Sequence, residues 1–413
     1  MPALRSLAGA LLLACSLPLV SACADRGPRS IAITELPSPV GPDAAEPFVA
    51  RAPDGRVVLS WLERAADSSV ALRFAMLDSA RQAWSAPAEI LRRKDLFVNW
   101  ADFPSVVALA DGRLVAHWLQ RNGAGRYAYD VVMSESRDEG TTWSATDLPH
   151  APGMQAEHGF VSILPHADGS AGVVLLDGGE ALIGAAKDAP HPAMQLGYAT
   201  WGDAKVTSRT ILDNSVCDCC QTTSAMTSRG PVVAYRDRTA DEIRDMSIVR
   251  LVDGKWTEPQ TIHADGWQIR SCPVNGPAIG AVHDTVAAVW FTGAQDTARV
   301  RVAFSTDAGA TFGPPVQVDG GRPTGRVDLE MLDGGAALVS WIERTGGDSA
   351  EVWVRVVRAD GTMEPHAVVT PSSGARSSGF PRMARVPGGV VMAWTVAGRP
   401  SSVKVAFVRV DER

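Results

Sequence analysis

The chain has 413 residues, a net charge of −7 and no run of Lys or Arg, which argues against a nucleic-acid partner. Its 38 glycines and 12 tryptophans suit turn-rich antiparallel sheets. Beyond the first residues no stretch reaches the ~20 apolar residues that a spanning helix needs, so a lipid anchor is the only membrane contact expected.

Residues 1–23 read as a processing segment. Arg5 gives the charged start, Leu7 to Val20 the apolar core, and Val20-Ser21-Ala22-Cys23 resembles the lipobox of bacterial lipoproteins. That resemblance implies removal of the segment and lipidation of Cys23. With Ala24 and no Asp after the cysteine, it also implies sorting to the outer membrane, facing periplasm or exterior. An ordinary cleaved secretory signal is the alternative. Residues 24–29 read as a tether and 30–413 as one repeat domain.

Ser30 to Leu36 is strand-like and has no partner in its own neighbourhood. After it, an apolar strand introduced by a turn signal recurs at seven places: Asp54-Gly55 to Arg64, Asp111-Gly112 to Trp118, Asp168-Gly169 to Leu175, Arg229-Gly230 to Tyr235, Asp284 to Trp290, Gly334-Gly335 to Arg344 and Gly388-Gly389 to Trp394. The period of roughly fifty to sixty residues fits a four-stranded blade with loops. A further strand follows each, and a short outer one follows the first six, from Glu89-Ile90-Leu91 to Ala367 to Thr370. The seventh unit reaches Arg413 without an outer strand, so Ser30 to Leu36 is expected to complete it and close the ring. The recurring Trp positions read as packing between blades.

Two octets share one pattern: Ser136-Arg137-Asp138-Glu139-Gly140-Thr141-Thr142-Trp143 and Ser305-Thr306-Asp307-Ala308-Gly309-Ala310-Thr311-Phe312. Ser and Asp side chains take backbone N–H groups in a tight turn, Gly supplies positive φ, and the aromatic wedges under the loop. Ser136, Asp138, Gly140 and Trp143, like Ser305, Asp307, Gly309 and Phe312, resemble the Asp-box repeat of the sialidase-like β-propellers. The expected fold is all-β, a seven-bladed propeller. Six blades, as in the catalytic sialidases, is the alternative, since the third unit carries Leu175 and a long insertion from Gly178 to Met194.

In a propeller the loops leading into inner strands, and those joining second to third strands, share one face, where ligand sites gather. This places Trp100, Asp102, Glu157, His158, Arg236, Asp237, Arg238, Arg322, Arg326 and Arg382 as binding candidates. Arg forks hold carboxylates bidentately, and the resemblance implies three such arginines. It also implies an acid, for which Asp102 is suitably placed, and a tyrosine nucleophile. Tyr127, Tyr129, Tyr198 and Tyr235 all lie outside the last blades where the family keeps that nucleophile, and its Phe-Arg-Ile-Pro signature is missing.

The expected role is therefore binding of an anionic glycan or a protein partner. A glycoside hydrolase of altered mechanism, with Asp102 as acid and Glu157 or Glu330 as base, is the alternative. Cys217, Cys219, Cys220 and Cys272 fall in two adjacent loops of the same face. Disulfides, with at least one bridge from the Cys-x-Cys-Cys loop to Cys272, are the expected reading in an exported protein, and no cofactor is then required. A copper or zinc site on the four thiolates is the alternative.

Overall fold

The computed structural model describes residues 31–78, 81–179 and 193–411. The leader, Cys15, Cys23, the tether and most of the third unit's insertion lie outside them.

Seven antiparallel sheets follow one another along the chain. Blade 1 opens with Ala44–Arg51, blade 2 with Ser105–Ala108, blade 3 with His158–Pro165 and blade 4 with Thr223–Thr227. Blades 5, 6 and 7 open with Ala278–Val282, Pro323–Met331 and Arg382–Val386. The third unit forms a full blade of four strands, so the count is seven and not six. Blade 2 has three strands, its expected outer strand being reduced to a bridge between Met133 and Asp147. The expected closure also holds: Ile31–Leu36 pairs with Ser402–Val410, from Ile31 opposite Val410 to Leu36 opposite Val405. The last blade is thus built from both ends of the described chain.

The second strands explain why the repeats stack. Val57–Arg64 and Leu114–Arg121 are buried at every position from the first to the sixth, because each blade is covered on both faces by its neighbours. Apolar runs replace the alternation of a half-exposed strand. Seven apolar clusters result, one for each pair of adjacent blades. Six of the seven second strands carry a recurrent aromatic, the third having Leu175 instead, and it belongs to the seam with the preceding blade: Trp61 shares a cluster with Val391, Trp118 with Phe74, and Trp341 with Val289. Trp61, Trp290 and Trp341 are fully buried, in keeping with a packing role.

Both octets fold alike, on the face opposite the loops that lead into inner strands. Ser136 Oγ donates to Asp138 at 2.8 Å and accepts the Gly140 N–H at 2.8 Å, while Asp138 accepts the Thr142 N–H at 2.8 Å. In the second octet Ser305 meets Asp307 at 2.7 Å, and Gly309 and Thr311 donate at 2.9 Å each. Trp143 stands edge-on to Phe74 of blade 1, with centroids 6.2 Å apart. The octets therefore pin one blade on the next.

Gly140 has φ +87°, and a Cβ there would come within 2.2 Å of the Phe74 ring. Gly112 has φ +88° with nothing within 4 Å. Gly112→Ala should cost only the left-handed backbone term of about 1–2 kcal/mol. Gly140→Ala should add an overpacking cost of about 1–3 kcal/mol, read as a lower urea midpoint than that of Gly112→Ala.

Candidate functional site

The site-bearing face is stitched together by isolated bridges between adjacent blades: Tyr129 of blade 2 with Glu157 of the loop leading into blade 3, Val216 at the end of blade 3's outer strand with Asp237 of blade 4, and Ile243 of blade 4 with Gln268 of the loop leading into blade 5. Three polar groups result.

The first is centred on Tyr129, which is fully buried and stacked on Phe97 with centroids 4.0 Å apart. Its hydroxyl lies 2.9 Å from Asp102 Oδ2 and 3.1 Å from Glu157 Oε1. Asp102 Oδ1 accepts the Phe160 N–H at 2.7 Å. Gly159 makes this approach possible, since a Cβ there would sit 1.9 Å from Asp102 Oδ2. A hydroxyl has one proton to donate, so two bonds to two carboxyls require one carboxyl to carry a proton. The electrostatics agree. Burial pushes Asp102 up to about 7, against the bonds from Phe160 and Tyr129. Burial, then the Asp102 charge, pushes Glu157 up to about 8. The Tyr129 phenol is raised well above its ordinary range by burial and by both carboxyls, so at neutral pH it is a donor and not an anionic nucleophile. Next to it, His158 Nδ1 lies 3.1 Å from Asp177, and its ring stacks on His150 at 3.7 Å. His150 Nε2 accepts the Val131 N–H at 3.1 Å, which occupies the lone pair a metal would need.

The arginines divide in two. Arg236 is 2 % exposed and donates to the carbonyls of Asn275, Arg244 and Phe291 at 2.6–3.0 Å. It is a clamp between blades 4 and 5, its donors taken by backbone carbonyls. Arg238 forms a fork with Glu242 at 3.1 and 2.7 Å. Asp237 accepts the Arg238 N–H at 2.6 Å and the Ser247 hydroxyl at 2.9 Å, so it too is internally engaged. Arg382 faces Asp328 at 3.4 Å and lies over Phe48. Together with Asp102 and Glu330 they line an axial cavity of about 230 Å³. Burial, then the Asp328 charge, pushes Glu330 up to about 8. Arg322 is exposed at the rim.

Arg326 differs. It is 5 % exposed, lies over Trp100 at 4.9 Å, and donates to the carbonyls of Gly379 at 3.3 Å and Gly374 at 3.2 Å. Exposed Arg376 approaches the same indole at 5.9 Å. Exposed Arg344 lies against Gly374, where a Cβ would meet its guanidinium at 3.3 Å. Burial and the charges of Arg344 and Arg376 push Arg326 down to about 10. Among the described residues none of the three has a carboxylate at ion-pair distance. Trp100 also lines a cavity of about 730 Å³ with Glu46, Arg64, Ser377, Thr395, Arg399 and Ser401.

The third group is the thiols. The expected disulfides are not formed: Cys217, Cys219, Cys220 and Cys272 are free cysteines. Cys217 Sγ lies 3.3 Å from Cys220 Sγ and 3.8 Å from Cys219 Sγ. Buried Arg244 donates to Cys217 Sγ at 3.3 Å and to Asp218 at 3.1 Å, and pairs with Glu242 at 2.8 Å. Burial opposes ionisation of Cys217, yet bonds from the Cys219 and Cys220 thiols and the charges of Arg236 and Arg244 hold its pKa well below the usual thiol range.

The structure thus brings Asp102 to Glu157, and Trp100 to Arg326, as neighbours. Sequence reasoning passed over Arg344, which lies at the end of a strand, and Tyr129, whose partners are remote in sequence. Arg376, in the loop that leads to Arg382, was not among the binding candidates either.

No protein-family model and no curated protein matches the chain. Among solved structures it is similar to a protein of unknown function from Dyadobacter fermentans. The identity is 15 %, over 92 % of this chain and 99 % of that one, with a TM-score of 0.52. It is similar also to the polysaccharide lyase Uly1, at 10 % identity over 88 % and 90 % with a TM-score of 0.52. The K499G mutant of NanB sialidase from Streptococcus pneumoniae aligns at 14 % identity over 89 % and 68 %, with a TM-score of 0.47. At these identities the first two likenesses speak to the fold alone.

A carboxyl whose pKa is raised on folding holds its proton in the native state after the unfolded chain has released it. Its contribution is fully present below the unfolded value of about 4 and is lost as pH rises through the folded values, about 7 for Asp102 and about 8 for Glu157. Relative to wild type, Asp102→Asn should therefore gain stability as pH rises from 5 to 7, by up to about 1.4 kcal/mol per pH unit. Urea melts across that range measure it. Buried His117 and His150, pushed down to about 3 and about 4 mainly by burial, act in the opposite sense in both proteins and cancel in the difference.

Proposed function

We propose that this propeller binds an acidic glycan at the pole formed by Arg344, Arg376 and Trp100, with Arg326 beneath them. The observation that carries the reading is three neighbouring guanidinium groups with no carboxylate partner among the described residues. Their mutual repulsion is left uncompensated until an anion arrives, and a forked carboxylate relieves it best. The adjoining cavity of about 730 Å³ is lined by Ser377, Thr395 and Ser401, whose hydroxyls suit a sugar better than an apolar ligand. A polysaccharide lyase occurs among proteins of like fold, so the scaffold is compatible with glycan ligands. Export and lipidation at Cys23 belong to the same proposal, with membrane contact through the acyl chains alone. Cys23→Ser should abolish labelling by a radioactive fatty acid.

Binding should be tested by calorimetry with an oligo-uronide, a sialylated oligosaccharide, a neutral glucan and an acidic peptide. Arg344→Ala and Arg376→Ala should each weaken binding of the acidic sugars about tenfold or more, in line with about 1.5–3 kcal/mol for a charged hydrogen bond. Equal affinity for neutral and acidic sugars, or binding of the peptide alone, would sink the reading.

The convergence of Asp102 and Glu157 on one hydroxyl supports a second reading, a glycoside hydrolase of altered mechanism with one carboxyl protonated. Release from a chromogenic glycoside panel that Asp102→Asn abolishes is its signature.

A further inference from the structure

Four cysteines from two loops gather around Cys219. Cys217, Cys219 and Cys220 leave the outer strand of blade 3, Lys205–Val216, on the way into blade 4, and Cys272 comes from the loop leading into blade 5. The sulfurs of the first three lie within 4.8 Å of one another, and Cys219 Sγ lies within the same distance of Cys272 Sγ and an Asp218 oxygen. Three of the cysteines are buried and Cys272 is exposed, so the cluster has closed walls and one open side. Metal–sulfur bonds of about 2.3 Å in a tetrahedron set S···S edges of about 3.8 Å. The separation of Cys217 from Cys219 is 3.8 Å. That of Cys217 from Cys220, 3.3 Å, is far longer than a bonded pair at about 2.05 Å.

The surroundings suit a thiolate cluster. Arg244 is 1 % exposed and places N–H on Cys217 Sγ at 3.3 Å, a cation held against sulfur that would otherwise accumulate negative charge out of water. Ala101, Phe160, Val216 and Phe380 share the apolar cluster that contains the three buried cysteines, which limits hydrolysis and ligand exchange on that side.

We propose that Cys217, Cys219, Cys220 and Cys272 form a binding site for one thiophilic d10 cation, zinc or copper(I). The ion ties the loop leading into blade 4 to the loop leading into blade 5. Binding displaces the thiol protons to solvent, and no electron changes hands.

The test uses the whole chain carrying Cys15→Ser and Cys23→Ser, so that four thiols remain, purified reduced and without oxygen. Zn²⁺ and Cu⁺ are titrated separately against a chelating dye of known affinity, and the thiols are then alkylated and counted by mass. The expected result is one ion per chain, with all four thiols shielded. The cation that withstands the dye identifies the occupant. Cys219→Ser and Cys272→Ser should each weaken retention at least tenfold. Cys272 is exposed, so its variant reports on ligation and not on the core, and the alkylation readout on the parent chain depends on no variant. Thiols that alkylate equally fast with and without either ion would overturn the site. So would recovery of two disulfides with all metal in the dye, or undiminished retention in Cys272→Ser.

Discussion

Everything in this molecule depends on burying both faces of every blade. A single four-stranded sheet of these sequences would expose two apolar surfaces, and only a neighbour on each side removes them from water. Among the described residues seven seams do this work, and the ring is complete because Ile31–Leu36 supplies the outer strand beside Ser402–Val410. Without that pairing the last blade would present an open edge. The aromatic second-strand residues set the spacing of the seams, and the two octets brace them on the far face.

Closure also decides where polar chemistry is permitted. Inner strands converge on an axis too narrow for seven sets of large side chains, and the cavity left there is lined by Asp102, Asp328, Glu330 and Arg382. Buried carboxyls at such a place hold their protons, which is why the axial and near-axial acids share raised pKa values. Around the axis, loops that lead into inner strands meet residues of other blades. The Tyr129 group, the thiol cluster and the arginine pole all sit at such meetings.

The same geometry separates arginines that support from arginines that remain available. Arg236, Arg238 and Arg244 lie between blades 4 and 5 or close to that junction, and carbonyls, Glu242 and Asp218 absorb their donors. Arg344 and Arg376 reach the surface around Trp100, with Arg326 fixed below by two carbonyls and the indole. In sequence all six look alike, since each lies in or beside a loop of the same face.

The sequence by itself determined the repeat, the closing strand and the packing role of the recurrent tryptophans, while the choice of seven blades over six waited for the third unit to fold as a full sheet. The first three depend on local patterning: apolar runs at a fixed period, and turn residues with a required backbone geometry. It also placed Asp102, Glu157, Trp100, Arg326 and the four cysteines on one face, because in a propeller loop order fixes the face. Only the tertiary structure decided that Tyr129 joins Asp102 to Glu157, that Arg236 serves the fold, that Arg344 and Arg376 accompany Arg326, and that the cysteines stand as a cluster of free thiols. Partners some 30 to 270 residues apart meet through the angle at which blades pack, and no pattern along the chain encodes that angle.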